Sequence, residues 1–207
     1  MRKFPFPHFS DRRLRGARVG RIVVFLGNPG ERYAKTRHNA GFMAARAVEE
    51  RTGARIDRLK FHALTAATEL GGERVLLLKP QTFMNLSGDA VREAMGFYKL
   101  ATDRLIVVSD DIALELGALR VRPSGSAGGH NGLRDIIAKC GGEGFARVRI
   151  GVGAPPDDGY EVADWVLSRF DEADIRKLGG VLERAASAVE TIITSGVERA
   201  MNNFNGN

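Results

Sequence analysis

Residues 27–42 read GNPGERYAKTRHNAGF, and this stretch decides the fold because it joins an apolar strand to a helix. The preceding run Arg21–Leu26 predicts a buried strand that ends in the Gly-Asn-Pro-Gly turn. A helix is predicted from His38 to Arg51. Open α/β sheets place their ligands at such strand ends. The turn therefore predicts a site that contains the amides of Asn28 and Asn39 and the imidazole of His38.

The rest of the chain alternates short apolar strands with amphipathic helices, which indicates a three-layer α/β sheet in a single domain. Gly71-Gly72 predicts a hairpin turn between two of these strands. Further strands are predicted at His62–Leu70, Arg74–Lys79, Leu105–Ser109, Ala118–Arg122 and Arg147–Val152. Helices are predicted from a cap at Asn85 or Ser87 to about Lys99, over Asn131–Cys140, and as one long C-terminal helix through Ile175–Ile193.

The net charge of +6 belongs to the N-terminus, because residues 1–21 carry seven Lys or Arg residues against Asp11 alone. We therefore divide the chain into a basic arm, 1–20, and a domain, 21–207. Such an arm could contact RNA, could be an organelle-targeting segment, or could be a solvated flexible extension, and we favour the last. It lacks the apolar core of a secretory signal, so export is not expected.

Composition and motifs exclude several classes of protein. No apolar run approaches the roughly 20 residues of a membrane-spanning helix. One cysteine, Cys140, allows no internal disulfide or thiolate zinc site, which fits a reducing cytosol, and its apolar helical setting predicts a buried, inert thiol. GxGxxG, P-loop, GxSxG and HExxH motifs are absent from the sequence. A hydrolase that uses water without a metal or cofactor is the simplest enzyme class left.

Polar residues occur at the ends of several predicted strands or the starts of helices: Asn28 with His38, Asn85, Asp110, and His130-Asn131. Each alone could be a turn residue, a helix cap or part of an ion pair. Together they can form a hydrolytic site, because a carboxylate that holds one ring nitrogen lets the other nitrogen take a proton from water. Neutral amides can hydrogen-bond the substrate carbonyl or the attacking water. This chemistry suits hydrolysis of an ester or amide.

Six segments in family order resemble the bacterial-type peptidyl-tRNA hydrolase family. They are GNPGERYAKTRHNAGF, KPQTFMNLSG, VVSDDIALELGALRVR, GSAGGHNGLRDII, FARVRIGVG and AMNNFNG, and they extend from about Arg21 to Gly206. The resemblance implies a monomeric α/β fold around a mixed, twisted sheet. It also implies cleavage of the ester between peptide and tRNA in the cytoplasm, with peptidyl-tRNA as partner and no membrane, cofactor or obligatory protein partner.

The resemblance also implies roles for individual residues. His38 would be the catalytic base, Asp110 would hold and polarise it, and Asn28 would contact the peptide of the substrate. Asn85 and Asn131 would position water and substrate, whereas Tyr33, Phe83 and Met84 would line the pocket for the tRNA end and the peptide. Candidates for tRNA phosphate contacts are Arg120, Arg122 and Arg134, which could equally be ordinary solvated surface. His130 could act chemically or could shape its loop.

Two alternatives remain at this point. The first is that this chain is a non-catalytic RNA-binding protein on the same fold, similar to a splicing-factor branch of the family. The enzyme is favoured over it by the joint presence of five polar residues: Asn28, His38, Asp110, Asn85 and Asn131. An unrelated metal-dependent hydrolase is the third reading, and the sequence offers it no recognisable set of ligands.

Overall fold

The computed structural model describes residues 18–157 and 159–206. Most of the predicted arm lies outside the described residues, so its boundary stays a prediction. The last residues before the domain contact its body. The Arg18 guanidinium donates to the Tyr98 carbonyl at 2.8 Å, and the Gly20 N–H donates to the Arg74 carbonyl at 2.9 Å.

The fold centres on a mixed seven-stranded sheet in the order β2-β3-β4-β1-β5-β7-β6. β4, β1, β5 and β7 are parallel, whereas β3, β2 and β6 run antiparallel to their neighbours. The strands are β1 (Arg21–Phe25), β2 (Arg58–Lys60), β3 (Ala63–Leu70), β4 (Glu73–Pro80), β5 (Leu105–Asp111), β6 (Leu119–Arg122) and β7 (Ala146–Gly151). The predicted hairpin and mixed α/β sheet are confirmed, and the short strand β2 was not predicted.

The helices are α1 (Ala40–Thr52), α2 (Ser87–Tyr98), α3 (Asn131–Lys139), α4 (Val162–Leu167), α5 (Glu172–Ser195) and α6 (Val197–Phe204). The long C-terminal helix is confirmed, whereas α4 and α6 were not predicted. The predicted cap of α2 was wrong: its N-cap is Leu86 without a side-chain hydrogen bond, and the Ser87 hydroxyl donates to the Met84 carbonyl at 2.8 Å. A 3-10 turn, Met84–Leu86, leads into α2 and removes the need for a capping side chain.

Strand β1 is apolar at nearly every position because both of its faces are covered. Val23 and Phe25 pack on one face with residues of α1 and α5, and Ile22 and Val24 pack on the other with α2 and α3. α1 follows β1 and α2 follows β4, and the two helices cover opposite faces of the sheet, so the connections after these adjacent strands run in different directions. A ligand crevice is expected at the carboxyl end of β1, where these directions diverge.

Within the described ranges, 18–157 and 159–206, no helix has both the length and the apolar character needed to cross a bilayer.

Candidate active site

The site begins at His38, which lies in a 3-10 turn, Arg37–Asn39, directly before α1. The predicted helix therefore starts two residues later than expected. Gly41 permits this close approach, because a Cβ there would lie 2.4 Å from the Leu26 carbonyl and 2.7 Å from the Val108 carbonyl. The start of α1 thus rests directly on β1 and β5. This contact brings His38 to the end of β5, where Asp110 is located.

His38 and Asp110 form the predicted pair. Nδ1 of His38 lies 3.0 Å from each carboxylate oxygen of Asp110. A carboxylate accepts, so Nδ1 carries the hydrogen and Nε2 keeps its lone pair. Among the described residues, no protein atom hydrogen-bonds this Nε2. His38 is buried, yet it belongs to the wall of a cavity.

His130 donates to the same carboxylate from the other side. Its Nε2 lies 3.0 Å from Oδ1 of Asp110, and its Nδ1 accepts from the N–H groups of Gly132 at 3.1 Å and Leu133 at 3.3 Å. The backbone groups can only donate, so the hydrogen of the neutral ring is on Nε2. Gly128 and Gly129 have φ values of 55° and 85°, a conformation that glycine adopts at little cost. The glycines turn the loop and His130 caps α3.

The Asp110 carboxylate stays ionised in this setting. Burial alone would raise its pKa, but the attraction of His38 and His130 and their hydrogen bonds lower the pKa overall, well below its usual range. Asp110 is buried inside β5, which runs to Asp111, two residues beyond the predicted strand end at Ser109. A permanent negative charge therefore lies behind the ring of His38.

A cavity of about 370 Å³ lies in front of this pair. Asn131 and Arg122 also contribute to its wall, so the structure brings together four of the predicted residues here. Oδ1 of Asn131 accepts from Nη1 of Arg134 at 2.8 Å, which orients the amide and leaves its NH₂ group for a ligand.

Asn28 lies in a separate recess beside the cavity. Its Oδ1 accepts from the Met84 N–H at 2.8 Å, which joins the end of β1 to the turn before α2. The Asn39 side chain holds the Asn28 main chain with two hydrogen bonds of 2.9 Å. Asn28 and Met84 are therefore neighbours, and Asn39 connects them to the 3-10 turn that contains His38. Asn39, one of the two amides predicted at this strand end, thus holds the other in place.

The remaining predicted residues lie around this centre. Tyr33 and Phe83 meet edge to face with ring centroids 6.5 Å apart, and Phe83 is 52% exposed. Asn85 is exposed in the turn after Phe83 and does not belong to the 370 Å³ cavity wall. Arg120 is half-buried on β6 opposite Arg149, and Arg134 is exposed on α3. These positions leave their assigned roles as predictions.

Two further arginines, Arg147 and Arg149 on β7, line the cavity beside Arg122. Arg147 donates to the carbonyls of Gly125 and Ser126 and so holds the loop that leads to His130. Arg149 forms an ion pair with Asp111. The alternation in FARVRIGVG could have placed both arginines on one face of β7, because they are two residues apart.

Arg37 attaches the 3-10 turn that contains His38 to the segments around Val152 and Trp165. Its guanidinium donates to the Val152 carbonyl at 3.1 Å and to Asp174 at 2.8 Å, and its Cζ lies 3.9 Å from the Trp165 ring centroid. Trp165 belongs to α4, whose residues Val162, Ala163 and Val166 line the cavity. The sequence did not predict this wall, because α4 is only six residues long and shows no helical period of apolar residues.

His38, Asp110 and His130 are also residue types that bind metals, and their potential ligand atoms lie within 4.8 Å of one another. The hydrogen bonds argue against this use. Nε2 of His130 carries a hydrogen and has no lone pair to offer, and Asp110 is already engaged by both rings. The metal-free mechanism remains a prediction that a chelator can test.

Cys140 lies outside the catalytic cluster. It is buried, and burial raises the pKa of its thiol to about 11. The predicted inert thiol is thus in keeping with its surroundings.

Comparison with known proteins identifies the family. The family model described as peptidyl-tRNA hydrolase matches residues 22–207. Peptidyl-tRNA hydrolase from Caldicellulosiruptor saccharolyticus is 45% identical over 185 residues, which cover 89% of this chain and 96% of the relative. The enzyme of the same name from Caldanaerobacter subterraneus is 48% identical and is covered to 99%.

Solved structures are similar as well. The crystal structure of peptidyl-tRNA hydrolase from Acinetobacter baumannii superimposes with a TM-score of 0.84 at 34% identity, and the match covers 92% of this chain and 98% of that one. The predicted fold, family and hydrolase class are confirmed, and the non-catalytic alternative gains no support. The chain belongs to the peptidyl-tRNA hydrolase family.

Proposed function

We propose that this protein hydrolyses the ester between the peptide and the terminal ribose of peptidyl-tRNA, with His38 as the general base. One observation carries the proposal. His38 lines a cavity of about 370 Å³ and donates to Asp110 through Nδ1 at 3.0 Å, while no described residue hydrogen-bonds its Nε2. A free ring nitrogen beside a cavity and a fixed carboxylate behind it are the parts that activation of water requires.

The reaction follows from these positions. Nε2 of His38 accepts a proton from water as the water oxygen attacks the ester carbonyl, and the Asp110 carboxylate stabilises the resulting imidazolium. The tetrahedral intermediate then expels the ribose oxygen, which takes up a proton, so the products are a free peptide acid and a free tRNA hydroxyl. General-base catalysis of this kind typically contributes roughly 10²–10⁴-fold.

Neutral amides supply the remaining contacts in this proposal. Asn131 has a side-chain amide oriented by Arg134, and its NH₂ group can donate to the ester carbonyl or to an intermediate that bears negative charge. Asn28 contacts the first part of the peptide, and Asn85 meets the substrate from the exposed turn after Phe83. These amides add hydrogen bonds without a net charge that would compete with Asp110 for the imidazolium.

The tRNA end lies on the positively charged side of the cavity. Arg122 and two neighbours on β7, Arg147 and Arg149, line that wall and can attract phosphate groups. Arg120 and Arg134 would reinforce the same surface. The exposed ring of Phe83, with Tyr33 at its edge and Met84 beneath the turn, offers a face on which an unpaired base can stack.

A cleavage assay on N-acetyl-aminoacyl-tRNA, with and without EDTA, tests this function. We expect release of the N-acetyl amino acid at the same rate in both conditions. His38→Ala should lower kcat by roughly 10²–10⁴-fold, whereas His62→Ala, at an exposed histidine paired with Glu93, should match the wild type. Circular dichroism should show the same fold for both variants.

Three results would contradict the proposal in different ways. Loss of turnover with EDTA would indicate a metal-dependent mechanism. Wild-type turnover by His38→Ala would remove this residue as the base. Binding of the substrate without cleavage by the wild type would favour the non-catalytic RNA-binding protein.

The proposal further holds that the protein works as a cytoplasmic monomer that needs no protein partner. Light scattering of the purified active protein tests the oligomeric state.

A further inference from the structure

The recess that contains Asn28 is distinct from the cavity that contains His38. It has a volume of about 620 Å³ and lies between the start of α1 and the ends of β1, β3 and β4. Asn28 and Asn39 connect the recess to the 3-10 turn that contains His38, because Asn39 follows His38 and its side chain forms two hydrogen bonds with the Asn28 main chain. Consecutive residues therefore line the two sites, His38 in the wall of the cavity and Asn39 in the wall of the recess.

Lys79 at the end of β4 lines the recess and is half-buried. Its Nζ lies 4.9 Å from the ring centroid of Phe42. No carboxylate of residues 18–157 or 159–206 lies within ion-pair distance of this ammonium group. The nearby Glu49 is engaged elsewhere, since its Oε1 accepts from the Ile56 N–H at 2.6 Å. Lys79 thus has donors to offer and, within the described part of the chain, no acceptor that takes them.

The surroundings make this unpaired charge costly. Burial lowers the pKa of Lys79, and the negative charge of Glu49 partly opposes that shift. A partly desolvated ammonium group is stabilised by an oxygen acceptor that arrives with a ligand. Asn28 adds a second set of donors, because its Oδ1 is fixed on the Met84 N–H and its NH₂ group makes no hydrogen bond within the described chain.

We propose that this recess is a subsite for the peptide beyond the residue esterified to tRNA, in which Lys79 donates to a carbonyl or carboxylate oxygen of that peptide. The inference rests on the proposed function and extends it to recognition of the upstream peptide. Asn28 binds the segment nearest the ester, and Lys79 binds the segment that follows it.

The charges of the recess favour a peptide over RNA. Its wall contains Glu31 and Glu49 as well as Arg46 and Lys79, so acids and bases balance. Arg46 is itself paired with Glu50 at 3.1 Å. Phosphodiester groups would meet two carboxylates there, whereas peptide carbonyls can use the free donors of Lys79 and Asn28. Phe42 and Met43 offer apolar contact to peptide side chains.

Substrates of different peptide length test the inference. N-acetyl-aminoacyl-tRNA ends before the Lys79 subsite, whereas N-acetyl-tripeptidyl-tRNA with the same esterified residue reaches it. We expect Lys79→Met to lower kcat/KM about tenfold for the tripeptidyl substrate, the scale of one lost charge-assisted hydrogen bond. It should leave the aminoacyl substrate within about twofold of the wild type. Lys79→Arg should retain most of the preference for the longer peptide.

Controls separate this result from general effects. Lys177→Met removes an exposed lysine on α5 and should cleave both substrates like the wild type. Tripeptides with Gly or Glu before the esterified residue identify the acceptor. An equal loss for both indicates a main-chain carbonyl, and a larger loss for Glu indicates its carboxylate.

The outcomes also distinguish this inference from the proposed function. If the wild type cleaves both substrates and Lys79→Met does the same, the subsite is wrong and the hydrolase stands. An equal loss on both substrates would likewise overturn the subsite, because Lys79 would then act on the fold or on the ester. If the wild type cleaves neither substrate, the proposed function itself fails.

Discussion

His38 and His130 approach the same carboxylate from two different parts of the chain, and their surroundings give them different capacities. Both rings lie 3.0 Å from Asp110, at Nδ1 of His38 and at Nε2 of His130. Their centroids are 4.8 Å apart. Residue type, burial and partner are thus nearly the same for the two rings.

The difference lies at the second nitrogen of each ring. His130 uses its Nδ1 to accept two backbone N–H groups at the start of α3, so both of its nitrogens are occupied. His38 is held at Nδ1, and its Nε2 has no hydrogen-bond partner among residues 18–157 and 159–206. The comparison teaches that the neighbouring backbone decides which imidazole can take a proton. His38 can serve as a base, and His130 positions Asp110 and caps a helix.

Asp110→Asn should produce the largest change among the tests of this comparison. An amide presents one acceptor and one donor to two ring N–H groups, and His130 cannot change tautomer without losing its backbone bonds. The amide oxygen therefore accepts from His130, and the amide NH₂ group faces the Nδ1–H of His38, from which it cannot accept a hydrogen bond. We expect kcat to fall about 10²-fold, less than for His38→Ala, and the acidic limb of the pH–rate profile to move to lower pH, because no carboxylate favours the imidazolium.

Steady-state kinetics across a pH series measure both effects of Asp110→Asn. An unchanged profile would mean that Asp110 does not act through His38. A loss larger than that of His38→Ala would mean that Asp110 contacts the reacting atoms itself.

His130→Asn should produce a smaller change because it separates the two functions of this residue. Asparagine is a good N-cap and can accept the same backbone N–H groups, but its shorter side chain does not extend to Asp110. We expect about a tenfold fall in kcat with α3 intact, since one of the bonds that orient the carboxylate is lost. His130→Ala should lower stability by a further ~1 kcal/mol, the usual value of a cap.

Kinetics and urea unfolding distinguish these His130 variants. If His130→Asn loses as much turnover as His38→Ala, the two rings are equivalent in catalysis and the comparison fails.

The sequence predicted the parts of the site that depend on strand ends and fixed residue chemistry. Asn28 follows β1 and Asp110 lies near the end of β5, and two adjacent parallel strands place their carboxyl ends together. The match to a family added His38 as the base. The central strands were identifiable because continuous apolar runs such as Ile22–Phe25 are typical of strands covered on both faces.

The sequence could not predict features that depend on orientation between distant segments. The tautomer of His130 is set by two backbone N–H groups, and no pattern in SAGGHNGL separates a cap from a base. Arg122 meets Arg147 through the antiparallel register of β6 and β7, which the strand lengths alone do not determine. Helix α4 has no buried residues within its six, so it lacks the apolar period by which helices are recognised.

The response of stability to acid gives the smallest effect and sharpens the comparison most. The folded pKa of Asp110 lies below that of an unfolded carboxyl group, about 4. Its stabilising contribution is therefore complete above the unfolded pKa and is lost as the pH falls toward the folded one. Urea unfolding between pH 6 and pH 3 should show this loss in the wild type and a shallower slope in Asp110→Asn. Because each ring donates to the carboxylate, His38→Ala and His130→Asn should flatten the slope to a similar extent, although His38→Ala lowers turnover far more. If only one of the two histidine variants flattens the slope, the two histidines do not both stabilise the Asp110 carboxylate. A steeper slope in Asp110→Asn would mean that folding raises the pKa of Asp110 instead of lowering it.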